Sequence, residues 1–213
     1  MNCCSHCAGI EKEFGEKTAA RDLRRYRRKG PLAGTRILLE ALRREGIAGM
    51  TLLDIGGGVG AIHHELLAAG ASRATHVDAS TAYLAAAREE ARRRGHESRV
   101  TFRQGDFVEL APELPPADVV TLDRVICCYP DMERLVGLSA ARARRLYGLV
   151  YPRDRWWLRP AFPLSNLYFR LRRCPFRIYR HPREAVDEVI RGQGLERRFR
   201  ATTPLWQVGI YAR

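Results

Sequence analysis

Apolar positions along this chain recur at two different periods. From Ile10 to Lys29, and again from Leu32 to Glu45, they return every three or four residues. The second run places Ile37, Leu38, Ala41 and Leu42 on one face, so the pattern predicts two helices parted by Gly30-Pro31. Beyond Glu45 short apolar runs alternate with helical segments. Thr51–Ile55, Ala74–Asp78, Arg99–Gln104, Asp118–Asp123 and Leu146–Tyr151 read as strands. Val59–Ala69, a segment capped by Ser80 and stopped at Gly95, and Asp131–Arg145 read as helices. Pro182–Arg191 reads as a helix with proline in its first turn, and Leu195–Ala201 and Trp206–Ala212 as strands close enough for a hairpin. Strands alternating with helices predict an α/β fold. Its centre is a Rossmann-like, doubly wound sheet of seven strands with helices on both faces, the last strand antiparallel and ligand bound at the strands' carboxyl ends. The 213 residues suit a single domain, with residues 1–46 as a helical cap and 152–181 as an insertion after the fifth strand.

The stretch "LLDIGGGVGA" (Leu52–Ala61) ends the first strand with four glycines in five positions. Glycine inside an element is costly, so this density means that something approaches the main chain closely. Gly56, Gly58 and Ala61 fit the dinucleotide fingerprint, whose pyrophosphate rests on a helix N-terminus. Asp54, Gly56, Gly58 and Gly60 fit D-x-G-x-G-x-G equally well. Asp78 closes the second strand, where a carboxylate accepts ribose hydroxyls, and Gly105-Asp106 follows the third. In this order the residues resemble the class I S-adenosylmethionine (SAM) methyltransferases, over roughly Leu52 to Tyr151 and the terminal hairpin. The resemblance implies SAM as cofactor. The binding set would be Asp54, Gly56, Gly57, Gly58, Gly60, Asp78, Ala79, Gly105, Asp106, Phe107 and Asp123. SAM is a cation with a zwitterionic tail, so it wants acids for its ammonium and ribose and bare amides for its carboxylate. A nicotinamide-dependent oxidoreductase stays open as the alternative enzyme.

On the acceptor side, the fourth strand ends at Asp123, where the resemblance places the methyl-transfer site. The [DN]-P-P-[YF] signature of nucleic-acid and glutamine-amide methyltransferases is missing from "LDRVICCYPDME" (Leu122–Glu133). "CYP" (Cys128–Pro130) is similar instead to the H-Y-P stretch of magnesium-protoporphyrin IX O-methyltransferases, with Cys128 in the histidine's place. That likeness makes Tyr129 and Tyr26, the latter on an N-terminal helix over the cofactor, catalytic candidates beside Asp123. The acceptor expected is a small molecule. His63 and His64 read as capping or solvent-facing residues, and His181 as a turn residue.

Net charge is +13, and it is local. "RDLRRYRRK" (Arg21–Lys29) carries six bases and one acid, and Tyr151–Arg183 nine arginines and only Asp154. Both segments are expected to bracket the acceptor mouth, which argues for an anionic, partly apolar acceptor. Within the insertion Leu164, Leu167, Tyr168 and Leu171 fall at helical spacing before Arg170, Arg172 and Arg173. They read as a lid packed on the core, as a slot for the acceptor, or as a peripheral membrane contact. No RNP or KH pattern accompanies the arginines, so nucleic acid is not an expected partner. A basic nucleic-acid or membrane-surface module with a vestigial cofactor pocket is the non-enzyme alternative. The first residues show no apolar signal region, and the six cysteines read as reduced thiols or ligands, so the expected location is cytoplasmic. In "CCSHC", Cys3, Cys4 and Cys7, with His6 beside them, are candidate ligands for a soft metal ion.

Overall fold

The computed structural model describes residues 5–213, with side chains from residue 9 onward. Three helices come first: α1 (Ser5–Glu13), α2 (Glu16–Lys29) and α3 (Ala33–Arg44). Then follow β1 (Thr51–Ile55), α4 (Ala61–Ala68), β2 (Arg73–Asp78), α5 (Thr81–Arg94), β3 (Val100–Gln104), the short α6 (Phe107–Leu110), β4 (Ala117–Asp123), α7 (Met132–Ala141) and β5 (Ala143–Pro152). The chain ends with α8 (Ala161–Leu171), α9 (Arg183–Gly192), β6 (Glu196–Thr202) and β7 (Trp206–Ala212). The strands form one sheet in the order β3-β2-β1-β4-β5-β7-β6. β1 to β5 are parallel, and β7 runs antiparallel between β5 and β6. The predicted seven-stranded sheet with an antiparallel last strand is therefore the fold.

The central strands are apolar on both faces because helices cover both. One core layer joins Ile55, Leu122 and Leu149 to α7 and α9. The other joins Leu52, Val119 and Val150 to α3 and α4. The sheet order reverses between β1 and β4, which is where an open α/β sheet leaves a crevice at its carboxyl edge.

Three boundaries depart from the sequence pattern. The helix expected over Ile10–Lys29 is two helices, because Gly15 adopts extended backbone and starts α2 afresh. The break lets the Phe14 ring pack on Tyr83 and edge-on against Phe176, at centroid distances of 5.8 and 5.3 Å. β5 begins at Ala143, inside the segment expected as helix, since Ala143 pairs with Ala117 of β4. The composition of "ARARR" favours helix, and pairing with β4 inside the sheet overrides it. Finally, α8 is a helix as its spacing predicts, but its apolar stripe faces outward: Leu164, Leu167, Tyr168 and Leu171 are all exposed.

Candidate active site

A cavity of about 450 Å³ opens at the carboxyl ends of β1, β2 and β4, beneath α1 and α2. That is within the size range of small-ligand sites. Its floor is the glycine turn. Gly56 leaves β1 with φ +60°, its amide donating to the Val77 carbonyl of β2 at 2.7 Å. A Cβ on Gly56 would lie 2.5 Å from Val125, so the position admits no side chain. Gly56, Gly57 and Gly58 all line the cavity. Gly60, expected with them, does not line it. Its left-handed backbone caps α4, and a Cβ there would meet the His63 ring at 2.4 Å.

Beneath the turn lies a group of four histidines, two of which, His63 and His64, the sequence reading took as capping or solvent-facing. His63, His64 and His76 are fully buried, and His96 nearly so. His63 Nδ1 sits 3.3 Å from Asp54 Oδ2 and 3.2 Å from His76 Nδ1, while His64 and His96 meet through their Nδ1 atoms at 3.3 Å. Burial holds His63 and His76 at pKa about 3, so all stay neutral near pH 7. Asp54 was expected to serve the cofactor directly. Its carboxylate borders the cavity, yet Oδ1 accepts from the Thr121 hydroxyl at 2.8 Å and Oδ2 turns to His63. Burial raises its pKa to about 6. The ligating atoms of Asp54, His63 and His76 lie within 4.8 Å of one another. In number they equal the protein ligands of a catalytic zinc, but His63 and His76 are fully buried and off the cavity lining, unlike a site with an open position for substrate. The cluster's evident work is to support the turn from below.

Three acids beyond Asp54 rim the cavity on the sheet side. Asp78, at the end of β2, accepts from the Gly58 amide at 2.9 Å and the Ser80 amide at 2.8 Å, tying the turn to the second strand. Burial raises its pKa to about 6, and the two amides work against that rise. Asp106 caps α6 through the Val108 amide and accepts the Tyr129 hydroxyl at 2.9 Å. Asp123 accepts from the Thr35 hydroxyl at 2.6 Å and from Arg124 at 3.0 Å. Arg124 has φ +63°, an uncommon conformation for a side-chain-bearing residue, and the turn brings its guanidinium back over Asp123. Ala79, Gly105 and Phe107 also line the cavity.

The opposite wall comes from the N-terminal helices. α1 and its end supply Ile10 and Phe14, and α2 supplies Arg21, Asp22 and Arg25, with Leu32 and Thr35 beyond. Arg21 and Arg25 are one turn apart on the same face, and Arg25 pairs with no carboxylate among the described residues. The basic run signalled this wall; Thr35 and Tyr83 carried no sequence signal. Tyr26 is a correction. Only 1% exposed, it packs with Leu23, Val59 and Tyr83, donates to Glu65 at 3.0 Å, and lies away from the cavity lining. The tyrosine from this region that does reach the cavity is Tyr83, whose hydroxyl donates to Asp22 at 2.6 Å.

Tyr129 and Cys128 line the cavity as expected. Hydrogen bonding to Cys127 and burial raise the Cys128 thiol well above its usual range, so it stays protonated. His181 holds the Tyr129 carbonyl at 3.0 Å. The insertion is a second correction. None of residues 152–181 lines this cavity, and Arg170, Arg172 and Arg173 are exposed elsewhere. The insertion supports the site from behind, through Phe169 and Phe176 packed with Ile10, Phe14 and Cys128 and through His181 on the Tyr129 carbonyl. Cys3 and Cys4 lie outside the described residues, as does the side chain of Cys7.

The cavity fits SAM on its own chemistry. It joins side-chain-free backbone at the end of β1 to carboxylates at the end of β2, after β3 and at the end of β4. Residues 52–145 match the methyltransferase-domain family model. No curated protein matches the chain in sequence. Among solved structures, magnesium protoporphyrin IX methyltransferase from Synechocystis PCC 6803 with bound SAH superposes with TM-score 0.75 at 17% identity, over 96% of this chain and 98% of that one. The same enzyme with bound SAM gives 0.72 at 16% identity, over 100% and 99%. An O-methyltransferase family protein from Burkholderia thailandensis gives 0.72 at 17% identity, over 96% of this chain and 62% of that one. Residues 52–145, from β1 to the start of β5, thus match a methyltransferase domain, and with the antiparallel β7 completing the sheet the whole chain has the fold of SAM-dependent methyltransferases.

Proposed function

We propose that the enzyme methylates a carboxylate oxygen of a small, partly apolar acid. The observation that carries this reading is the composition of the cavity's outer wall. Arg21, Arg25 and Arg124 share it with Ile10, Phe14 and Leu32, which suits an anionic head and an apolar body.

SAM supplies a methyl group on a sulfonium, ready for in-line displacement. The chain's residues then have to align the acceptor and exclude water. Asp78 would take the ribose hydroxyls and Asp106 the adenine end, and the side-chain-free Gly56–Gly58 turn, whose amides already bond Val77 and Asp78, would let the cofactor lie close against the main chain. A base is needed only if the acceptor must lose a proton. The cavity lining contains no histidine, Cys128 is held as a thiol, and Asp22, Asp106 and Asp123 already accept hydrogen bonds. An acceptor already ionised at neutral pH needs no base, and a carboxylate is the common group that is both ionised and nucleophilic there. As the C–O bond forms and the C–S bond breaks, the products are an uncharged ester and S-adenosylhomocysteine.

The porphyrin of the Synechocystis enzyme is not carried over. Cys128 stands where that family has histidine, and Tyr26 is in the core. The test is transfer of labelled methyl from SAM to a panel of apolar carboxylates, with the matching alcohols and amines as controls. The label should appear as a methyl ester that releases methanol in alkali. A base-stable product, or a preference for cationic acceptors, would overturn the reading.

A further inference from the structure

The outward face of α8 is unexplained by the active site. An amphipathic helix normally turns its apolar stripe to the core. Here Leu164 is 64% exposed and Leu171 76% exposed, with Leu167 and Tyr168 between them on the same stripe. Trp156 extends the surface at 77% exposure, beside Trp157. The inner face carries polar Asn166, whose amide bonds both backbone groups of Ile178 at 2.8 Å and so fixes the helix in this orientation. The inversion is built in.

The border of the stripe is basic. Arg155, Arg159, Arg170, Arg172 and Arg173 are all exposed around it. The one acid of the segment, Asp154, is already paired with Arg159 and Arg180. Arg172 lies over the Tyr168 ring at 5.5 Å and donates to its hydroxyl at 2.8 Å, with its stem along the apolar face. Tryptophan, tyrosine and leucine ringed by arginine are the composition of a helix lying in a lipid interface. No helix among the described residues is long and apolar enough to cross a membrane.

We infer that α8 with Trp156 and Trp157 is a docking surface for an anionic lipid bilayer, on which the helix lies flat with its leucines among the acyl chains and its arginines among the headgroups. A second copy of the chain is the competing occupant, and charge opposes it: a two-fold contact would set this arginine border against itself with no free acid to meet it. Because Phe169 of α8 packs on Phe176 and through it on Phe14, docking would bring the cavity's α1 wall close to the bilayer.

The test is co-sedimentation of the full chain with vesicles of phosphatidylcholine alone or mixed with phosphatidylglycerol, with tryptophan emission recorded in parallel. Binding to the anionic vesicles with a blue shift is expected, and little binding to the neutral ones. The combined variant Trp156→Ser, Leu164→Ser and Leu171→Ser should weaken anionic binding at least tenfold and abolish the blue shift. Arg170→Gln with Arg172→Gln and Arg173→Gln should weaken it comparably and reduce its salt dependence. SAM affinity should stay unchanged in both, which shows that they fold and separates this result from any failure to find the acceptor. Three outcomes would overturn the inference: no binding to anionic vesicles at 0.1 M salt, binding that survives the apolar variant, or a solution dimer that the apolar variant dissociates.

Discussion

At the scale of the residue, Asp78 is the position where binding and protonation meet. Its carboxylate holds the Gly58 and Ser80 amides and rims the cavity, and burial raises its pKa to about 6. If the ionised form is what accepts ribose hydroxyls, SAM affinity should be level above pH 7. It should weaken below pH 6, approaching tenfold per pH unit, as measured by calorimetry. Asp78→Asn should flatten that profile. It should also weaken binding at least tenfold at pH 7.5, because each charge-assisted bond contributes about 1.5–3 kcal/mol. Tyr26 makes the opposite case. A hydroxyl buried against Glu65 and away from the cavity is structural, so Tyr26→Phe should cost about 1 kcal/mol of stability and leave kcat within twofold. A large loss of kcat with unchanged stability would return Tyr26 to the catalytic set. The sequence placed a tyrosine on a helix over the site. It could not say that Tyr26 and Tyr83 would divide the space so that only Tyr83 reached the opening.

At the scale of the element, the proposed selection of an anionic acceptor rests on α2. Arg27 bonds Glu90 at 2.8 Å, and Arg93 and Arg94 of α5 hold the same carboxylate, fixing α2 over the glycine turn. These partners keep Glu90 ionised, well below the usual carboxylate range. With α2 so anchored, Arg21 and Arg25 present a fixed pair of charges to the cavity. Arg25→Gln should raise the acceptor's KM several-fold with little change in SAM affinity, and the double variant with Arg21→Gln should raise it further. Because both lie near solvent, the wild-type KM should rise with salt, exposed charges being screened within about 8–10 Å. A KM indifferent to both salt and substitution would make the wall a solvated face. α8, expected from the sequence to help bracket the mouth, should leave KM unchanged when its arginines are replaced and the acceptor is supplied in solution.

At the scale of the whole molecule, the buried histidines give stability a direction with pH. His63 and His76 titrate in the fold at about 3 and His64 at about 2, below the roughly 6.5 of an unfolded chain. As pH falls through 6.5 the unfolded state takes up protons that the fold refuses, so stability is lost on acidification. Asp54 and Asp78 act oppositely. Each is raised to about 6, so the fold gains their protons between about pH 6 and 4 and offsets part of the loss. Three groups against two leave a net decline. The melting temperature should hold between pH 8 and 7 and fall by several degrees by pH 5.5, measured by scanning calorimetry. A flat profile down to pH 5.5 would mean that these imidazoles are protonated inside the fold.

The sequence by itself determined the sheet and the crevice, and its resemblance to the methyltransferases implied the cofactor. Strand–helix alternation permits few topologies, and glycines and acids at successive strand ends fall at one edge by the periodicity of the fold. What lies near a strand end in the chain lies near the cavity in space, so Gly56 and Asp78 were legible from their positions, and Asp106 and Asp123 from the methyltransferase resemblance. The tertiary structure decided what depends on contacts between distant segments. Asp54 turns to Thr121 and His63 because burial denies its oxygens water and those partners are within reach. His63, His64, His76 and His96 come from three separate segments, and no local pattern marks them as a cluster. Gly15 breaks a helix for a Phe14 contact with residues more than sixty positions away. The stripe on α8 shows the limit most directly. Helical spacing reveals that Leu164, Leu167, Tyr168 and Leu171 share a face. Only the anchoring of Asn166 on Ile178 determines that the face points outward, because periodicity fixes which residues lie together and packing fixes what they lie against.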